Sequence, residues 1–299
     1  MALLNPPELR PSMLLLIAKY LAGQRGQRDQ VERLLAALAP VTLGGADPDR
    51  DVRLNLQTAI EIGLLVRDGD SVGLVDGCVK QIREGELSTM AFLRRLVFSD
   101  SLNAADWGSQ VGARDLTNAL SWFLTFGAMD APSQMEGRER SANALQEADF
   151  GPRQPGIGED DSGGWPIANA TRWNSFRRWA CSLGFAWAMP DGQLVPDPTV
   201  AVREALPSIM ARQPELTARE FVDALADEVP VVDEGRYRRF VESNWRRTAP
   251  GVSRLTPSLT EALERLQDEG RLILDDRADA PRLSKADGST FSHVRHAKR

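Results

Sequence analysis

The residues with the clearest chemical potential lie in one short stretch, residues 171–183, which contains three arginines and no acidic residue. Its apolar residues recur at helical spacing, so we expect a helix whose opposite face is polar. Asparagine and arginine side chains can read adenine and guanine in the major groove of DNA, and arginine also pairs with phosphates. The candidate DNA-binding residues are Arg172, Asn174, Arg177, Arg178 and Ser182. A solvated face, or arginines that anchor a protein partner, is the alternative.

Two further clusters of basic residues occur at residues 236–247 and in the last residues, 282–299. Clusters of this kind can contact phosphates. The helix predicted to begin near residue 256 differs, because its outward face carries Glu261 and Asp268 beside Arg265. Those carboxylates would repel DNA, so the stretch at residues 171–183 is the one best suited to a groove.

No pattern in the sequence indicates catalysis. The chain lacks the glycine-rich phosphate loops and the nucleophile-elbow motif. Its two histidines, His293 and His296, lie in a predicted solvated tail that has no glutamate or cysteine to complete a metal site. Cys78 and Cys181 are far apart in the sequence, and neither has a histidine nearby. We therefore predict a protein that is not an enzyme and that has no cofactor, metal or small-molecule substrate.

The composition is that of a globular protein with an acidic balance. The 299 residues carry a net charge of −6, and 42% of them are hydrophobic. An acidic chain has no bulk attraction for nucleic acid, so DNA contact would require a local basic patch. Two cysteines without close spacing argue against a disulfide framework and favour the cytoplasm. The apolar run at residues 13–17 is too short to span a membrane.

A helix that ends at glycine and leads into a β-hairpin is predicted at three places, residues 51–75, 171–195 and 256–284. Glycine favours these positions because it readily adopts the left-handed backbone that follows a helix. The glycines concerned are Gly63, Gly184 and Gly270. Polar turns are predicted at residues 68–71, 190–192 and 276–280, with the third hairpin formed by residues 272–274 and 282–283. A helix followed directly by a β-hairpin forms the second half of a winged helix.

Each copy needs two earlier helices to cover its apolar face. We predict them at residues 12–21 and 27–38, at 88–98 and 114–126, and at 217–226 and 235–245, the fifth opened by a capping box of Thr217 and Glu220. The predicted fold class is α+β, mainly helical, with tandem winged-helix-like units. Helix–glycine–strand junctions are also common in other α+β proteins, and the middle copy is the weakest of the three.

The predicted units span residues 1–87, 88–212 and 213–285, and a basic tail follows at residues 286–299. The middle unit contains an insertion at about residues 131–166 that is rich in glycine, proline and acidic residues. Such a composition is typical of a flexible loop, so we expect this insertion to be flexible.

Two parts of the sequence resemble the DpdG family. One is the opening Leu3-Leu4-Asn5-Pro6-Pro7. The other contains Arg172-Trp173-Asn174, Arg178-Trp179-Ala180, Leu183-Gly184-Phe185 and the run at residues 194–199. The family belongs to a bacterial gene cluster that inserts 7-deazapurine bases into DNA and restricts unmodified DNA. The resemblance implies an accessory role beside helicases and a nuclease-like protein, and it transfers no activity and no site residues.

The residues and the resemblance together predict an adaptor in a DNA-modification-linked defence system. Its expected partners are the other proteins of that system and double-stranded DNA, which the middle unit would contact. Two alternatives stay open. One is a transcription regulator, which would form dimers and prefer one operator. The other is a structural winged-helix subunit of a chromosome-organising ATPase complex, in which such units bind protein.

Overall fold

The computed structural model describes residues 2–40, 42, 47–137, 140–154, 162–211, 213–248 and 253–297. These residues form an α+β fold that is mainly helical, with twelve α-helices and four small antiparallel sheets. One connected hydrophobic core runs through the whole arrangement. Among the described helices, none has the length and apolar character needed to cross a membrane.

The N-terminal part has a three-stranded sheet packed against three helices. Its elements are α1 (Pro11–Ala22), β1 (Arg28–Gln30), α2 (Val31–Leu38), α3 (Arg50–Glu61), β2 (Leu65–Asp68) and β3 (Ser71–Leu74). Strand β3 lies between β1 and β2, and Asp68 pairs with Ser71, which confirms the turn predicted at residues 68–71. Residues 28–30 are a strand, whereas the sequence predicted a helix from residue 27. Their pairing with residues 71–73, far along the chain, overrides the local helical pattern.

The middle part is built mostly from helices. Its elements are α4 (Cys78–Glu84), α5 (Glu86–Val97), α6 (Arg114–Phe123), α7 (Ala142–Phe150), α8 (Ala170–Ser182), β4 (Ala186–Ala188), β5 (Leu194–Pro196) and α9 (Thr199–Ile209). Strands β4 and β5 pair directly after α8, which confirms the hairpin predicted to turn at residues 190–192. Gly184 has a φ of 77°, as expected for the residue that ends a helix in the left-handed conformation.

The described part of the insertion at residues 131–166 contains a helix and buried side chains. It contains α7, whose Gln146 side chain is fully buried. The Gln146 amide donates to the Ile167 carbonyl at 3.0 Å and accepts from the Ile167 N–H at 2.7 Å. The Trp165 indole N–H donates to the Gly151 carbonyl at 2.8 Å. Composition predicts turns here but does not reveal such docking contacts. Residues 138–139 and 155–161 lie outside the described residues.

The C-terminal part has a second three-stranded sheet. Its elements are β6 (Glu215–Thr217), α10 (Ala218–Glu228), α11 (Arg236–Glu242), α12 (Pro257–Asp268), β7 (Leu272–Asp275), β8 (Leu283–Ser284), β9 (Thr290–Phe291) and β10 (His293–His296). Helix α10 begins with the predicted capping box, in which the side chains of Thr217 and Glu220 each bond the other's backbone N–H.

The third hairpin and the tail differ from the predictions. Strand β7 pairs with β10, with Leu274 opposite Val294, and β8 pairs with β9 instead of with β7. Strand β10 is the central strand of its sheet, and the Val294 side chain is fully buried. Residues 290–296 are therefore folded strands and not a solvated tail. Their apolar residues, Phe291 and Val294, favour burial over solvation.

Candidate nucleic-acid interface

A groove lies between the beginning of α1 and the outward face of α8, with a volume of about 590 Å³. Arg10, Pro11 and Ser12 form one side of it. The other side contains four of the five residues predicted from the sequence: Asn174, Arg177, Arg178 and Ser182. The folding of the chain thus brings these predicted residues together and adds Arg10 to them.

The local sequence explains why α8 presents this face. The helix begins at Asn169, whose side chain accepts the Arg172 N–H at 3.0 Å. Trp173, Phe176 and Trp179 are buried and fix the inward face. Asn174 and Arg178, four residues apart, therefore lie one above the other on the exposed face. The exposure that helical periodicity predicted for these two residues is confirmed.

Arg177 and Arg178 are held in place by backbone carbonyls. One terminal nitrogen of Arg177 donates to the Gly192 carbonyl at 2.7 Å, which ties it to the turn of the β4–β5 hairpin. Arg178 donates to the Pro7 carbonyl at 2.7 Å and to the Ser175 hydroxyl at 3.3 Å. Burial lowers the pKa of Arg178, and the positive charge of the nearby Arg10 lowers it to a smaller extent. An anion in the groove would stabilise the charged form of this guanidinium.

Arg10 was missed by the sequence analysis because it precedes α1, far from α8 in the chain. Its backbone N–H donates to the Asn55 side chain at 3.0 Å, which fixes the beginning of α1. Helix α1 has proline in its first turn and no side-chain cap, and the positive end of its dipole lies at the groove. The residues that line the groove include no acid. Glu8 is an acid whose charge raises the pKa of Arg178. Its carboxylate oxygen lies 3.9 Å from a terminal nitrogen of Arg50.

Arg172 lies elsewhere, although the sequence grouped it with the candidate DNA-binding residues. Its side chain is buried 3.6 Å from the Asp115 carboxylate and also bonds Gln110. A residue in this position is not accessible to a phosphate. Its neighbour Trp173 shares the buried side of α8, and the carboxylate that compensates the charge comes from α6.

The other basic clusters are largely paired within the chain. In the cluster at residues 236–247, Arg236 pairs with Asp100 at 3.0 Å and Arg247 with Asp149 at 2.8 Å. In the last segment, Arg282 pairs with Asp276 at 2.8 Å and Arg295 with Asp275 at 2.7 Å. Such pairs reduce the positive potential that phosphate binding needs, so the groove is the better candidate.

The described residues contain no group of three or more histidines, cysteines or carboxylates placed to hold a metal ion. The two cysteines differ in position. Cys78 is fully buried, and burial raises the pKa of its thiol to about 11. Cys181 lines the groove, and burial raises the pKa of its thiol as well. Both thiols are therefore protonated at neutral pH, which makes them poor nucleophiles.

Comparison with known proteins identifies a family. The model of a family described as DpdG-like matches residues 1–280, which include both sides of the groove. A search of curated proteins and a search of solved structures each gave no significant match. Because the family match extends over most of the chain, this protein belongs to the DpdG-like family.

Proposed function

We propose that this chain is a non-enzymatic accessory protein of the dpd system, which modifies DNA and restricts unmodified DNA. We further propose that the groove between α1 and α8 binds the phosphate backbone of double-stranded DNA. Membership of the DpdG-like family supports the first part, and with it the expectation that the partners are other proteins of that system. The positive charge of the groove supports the second part, the binding of DNA.

The observation that carries DNA binding is the convergence of three arginines on one opening. Arg10 comes from the start of α1, and Arg177 and Arg178 come from α8. The lining includes no carboxylate, although the whole chain has a net charge of −6. A cationic groove on an acidic protein concentrates polyanions at that one place, and the rest of the surface repels them.

The geometry favours contact with phosphates over reading of bases. Helix α8 lies against the beginning of α1, so its outward face is the wall of a groove and does not stand free of the surface. Arg177 and Arg178 each use one terminal nitrogen for a backbone carbonyl, which leaves fewer donors for the bidentate contact that identifies guanine. Phosphate contacts have no such requirement and carry no sequence information.

The element order supports a winged-helix-like character for two units. In the N-terminal and C-terminal parts alike, a first strand is followed by helices and then by the two other strands of the same sheet, with β8 and β9 inserted between those two strands in the C-terminal part. The sheet orders, β1-β3-β2 and β6-β10-β7, place the last strand in the centre in both. We infer that these parts are repeats of one winged-helix-like unit, and that the middle part, with its two-stranded hairpin after α8, is a reduced version of it.

Fluorescence anisotropy with a labelled DNA duplex across a salt series tests the groove. Wild type should bind many sequences with similar affinity. Arg10→Gln and Arg178→Gln should weaken binding and lower the slope of log K against log salt by about one each. Arg33→Gln is the matched control, because Arg33 is exposed on α2 outside the groove. It should leave the slope unchanged.

Two outcomes would contradict the proposal. Absence of duplex binding by wild type at low salt would exclude a DNA site and reassign the arginines to a protein partner. A strong sequence preference that Asn174→Ala removes, with a loss of about 1–3 kcal/mol of binding free energy, would mean that α8 reads bases.

The proposal that the protein is not an enzyme is tested by incubating the duplex with the protein, Mg²⁺ and ATP. The DNA and the ATP should be recovered unchanged.

A further inference from the structure

A second cavity, separate from the groove, lies where the middle and C-terminal parts meet. It has a volume of about 470 Å³. Thr125, just after α6, lies on one side, and Arg238 of α11 and Trp245 lie on another. The other polar residues of its lining are Arg247, Arg254 and Thr256. Ligand pockets for small molecules commonly have volumes of about 300–1,000 Å³, so this cavity can hold a molecule larger than a single phosphate ion.

Three polar atoms that belong to residues of this lining are buried and have no hydrogen-bond partner among the described residues. They are a terminal nitrogen of Arg238 (Nη2), the indole nitrogen of Trp245 (Nε1) and the hydroxyl of Thr125 (Oγ1). Buried polar groups without partners are costly, and they are rare in folded proteins. Their concentration around one cavity indicates that a bound ligand supplies the missing partners.

The Arg238 side chain shows most clearly what kind of partner is missing. Its residue is fully buried. Its Nε donates to Glu242 at 2.6 Å and its Nη1 to the Ser121 carbonyl at 3.2 Å. Its Nη2 lies 4.0 Å from Asp233, too far for a hydrogen bond. Guanidinium and indole nitrogens only donate, so the missing partner of Arg238 Nη2 and of Trp245 Nε1 is an acceptor.

The charges around the cavity favour an anionic acceptor. Its lining has three guanidinium groups and no carboxylate. Arg247 pairs with Asp149 at 2.8 Å, yet burial still lowers the pKa of Arg247. Arg254 donates to the Ala286 carbonyl at 2.7 Å. The guanidinium carbons of Arg238 and Arg247 lie 5.3 Å and 4.1 Å from the centre of the Trp245 ring, which holds these cations in place.

We propose that this cavity binds a small phosphate-bearing molecule of about mononucleotide size. Its phosphate accepts hydrogen bonds from Arg238 and Trp245, Arg254 contributes charge, and the Thr125 hydroxyl donates to the same ligand. Phosphate suits this lining because it presents several acceptor oxygens to the fork of an arginine. The remaining volume accommodates the part of the ligand that follows the phosphate. This site is independent of DNA binding at the groove.

Isothermal titration of the full chain with AMP, adenosine and inorganic phosphate tests the site, with Trp245 fluorescence as a second signal. AMP should bind with a Kd below about 1 mM, and adenosine should bind far more weakly. Tighter binding of AMP than of inorganic phosphate would support a ligand of mononucleotide size, and binding of inorganic phosphate as tightly as AMP would overturn it in favour of a free oxyanion. Adenosine binding as tightly as AMP, or no binding of any of the three, would overturn the proposal.

Two variants separate ligand binding from folding. Arg254→Gln should weaken AMP binding about tenfold or more, the usual effect of losing a charged hydrogen-bond partner. Thr125→Val keeps the shape of the side chain and removes a hydroxyl without a partner. It should weaken AMP binding and leave the Tm of the free protein unchanged or raised. Arg271→Gln, at an exposed position outside the cavity, is the control. If this control weakens AMP binding as much as Arg254→Gln does, the assignment to this cavity is wrong.

Discussion

The guanidinium of Arg172 lies 3.6 Å from the carboxylate of Asp115, and both side chains are buried in the centre of the protein. The same carboxylate accepts the backbone N–H groups of Leu3 and Leu4 at 3.2 and 2.7 Å. This ion pair therefore joins α6, α8 and the first residues of the chain. Those residues lead directly into Arg10 and α1, so Asp115 links the buried side of α8 to the segment that forms the opposite wall of the groove.

The first prediction concerns this ion pair. Asp115→Asn should lower the free energy of unfolding by about 3–5 kcal/mol, because it removes the negative charge that lies 3.6 Å from the buried Arg172 guanidinium. Urea denaturation measures the change. The control is Asp130→Asn, since Asp130 forms an exposed pair with Arg140 at 3.6 Å and should tolerate the substitution. Equal effects of the two substitutions would show that the buried pair has no special role.

The second prediction concerns the glycine that ends α8. Gly184 and Gly270 both have positive φ, 77° and 65°. A Cβ at Gly184 would lie 2.9 Å from the side chain of Val200, and a Cβ at Gly270 would have no atom within 4 Å. Gly270→Ala should therefore lower the free energy of unfolding by about 1–2 kcal/mol, because alanine disfavours the left-handed backbone conformation. Gly184→Ala should lower the free energy of unfolding by more than Gly270→Ala does, and Gly184→Val should lower it further still. Thermal unfolding of the variants decides this, and equal costs for the two alanine variants would contradict the packing argument.

The third prediction concerns the last strand. Val294→Ala should destabilise the protein by about 2 kcal/mol, because it removes buried apolar area from the central strand of the C-terminal sheet. His296→Ala, at an exposed position of the same strand, should have little effect. Hydrogen exchange of residues 290–296 provides a second measurement. Rapid exchange there, together with a neutral Val294→Ala, would mean that this segment is the solvated tail suggested by its sequence.

The fourth prediction uses the two cysteines. Because burial raises the pKa of Cys181, iodoacetamide should label it more slowly at neutral pH than a free cysteine. The labelling rate should keep rising as the pH passes the usual thiol range. Cys78 is fully buried and should stay unlabelled in the native protein. Duplex DNA should slow the labelling of Cys181, which lines the groove, and mass spectrometry reads out both sites. Unchanged labelling of Cys181 in saturating DNA would place the DNA elsewhere.

Local sequence patterns predicted nine of the twelve described helices and two of the hairpins, but not α4, α7 or α9. The stripe of α8, the glycine at position 184 and the turn at residues 190–192 all involve interactions between residues close in the chain, so periodicity and turn chemistry predict them. The same periodicity correctly placed Asn174 and Arg178 on an exposed face. The burial of Arg172 against Asp115 was not predicted, because a helical pattern does not reveal a carboxylate supplied by another helix.

Tertiary structure alone decided which distant residues meet. The pairing of β7 with β10 passes over β8 and β9, and the docking of Gln146 on Ile167 joins segments that composition marks as loops. The groove arises in the same way, since Arg10 meets Arg178 only through the contact of α1 with α8. Strand pairing, compensation of buried charge and packing between helices depend on positions in space, and a single sequence records residue types and their order along the chain.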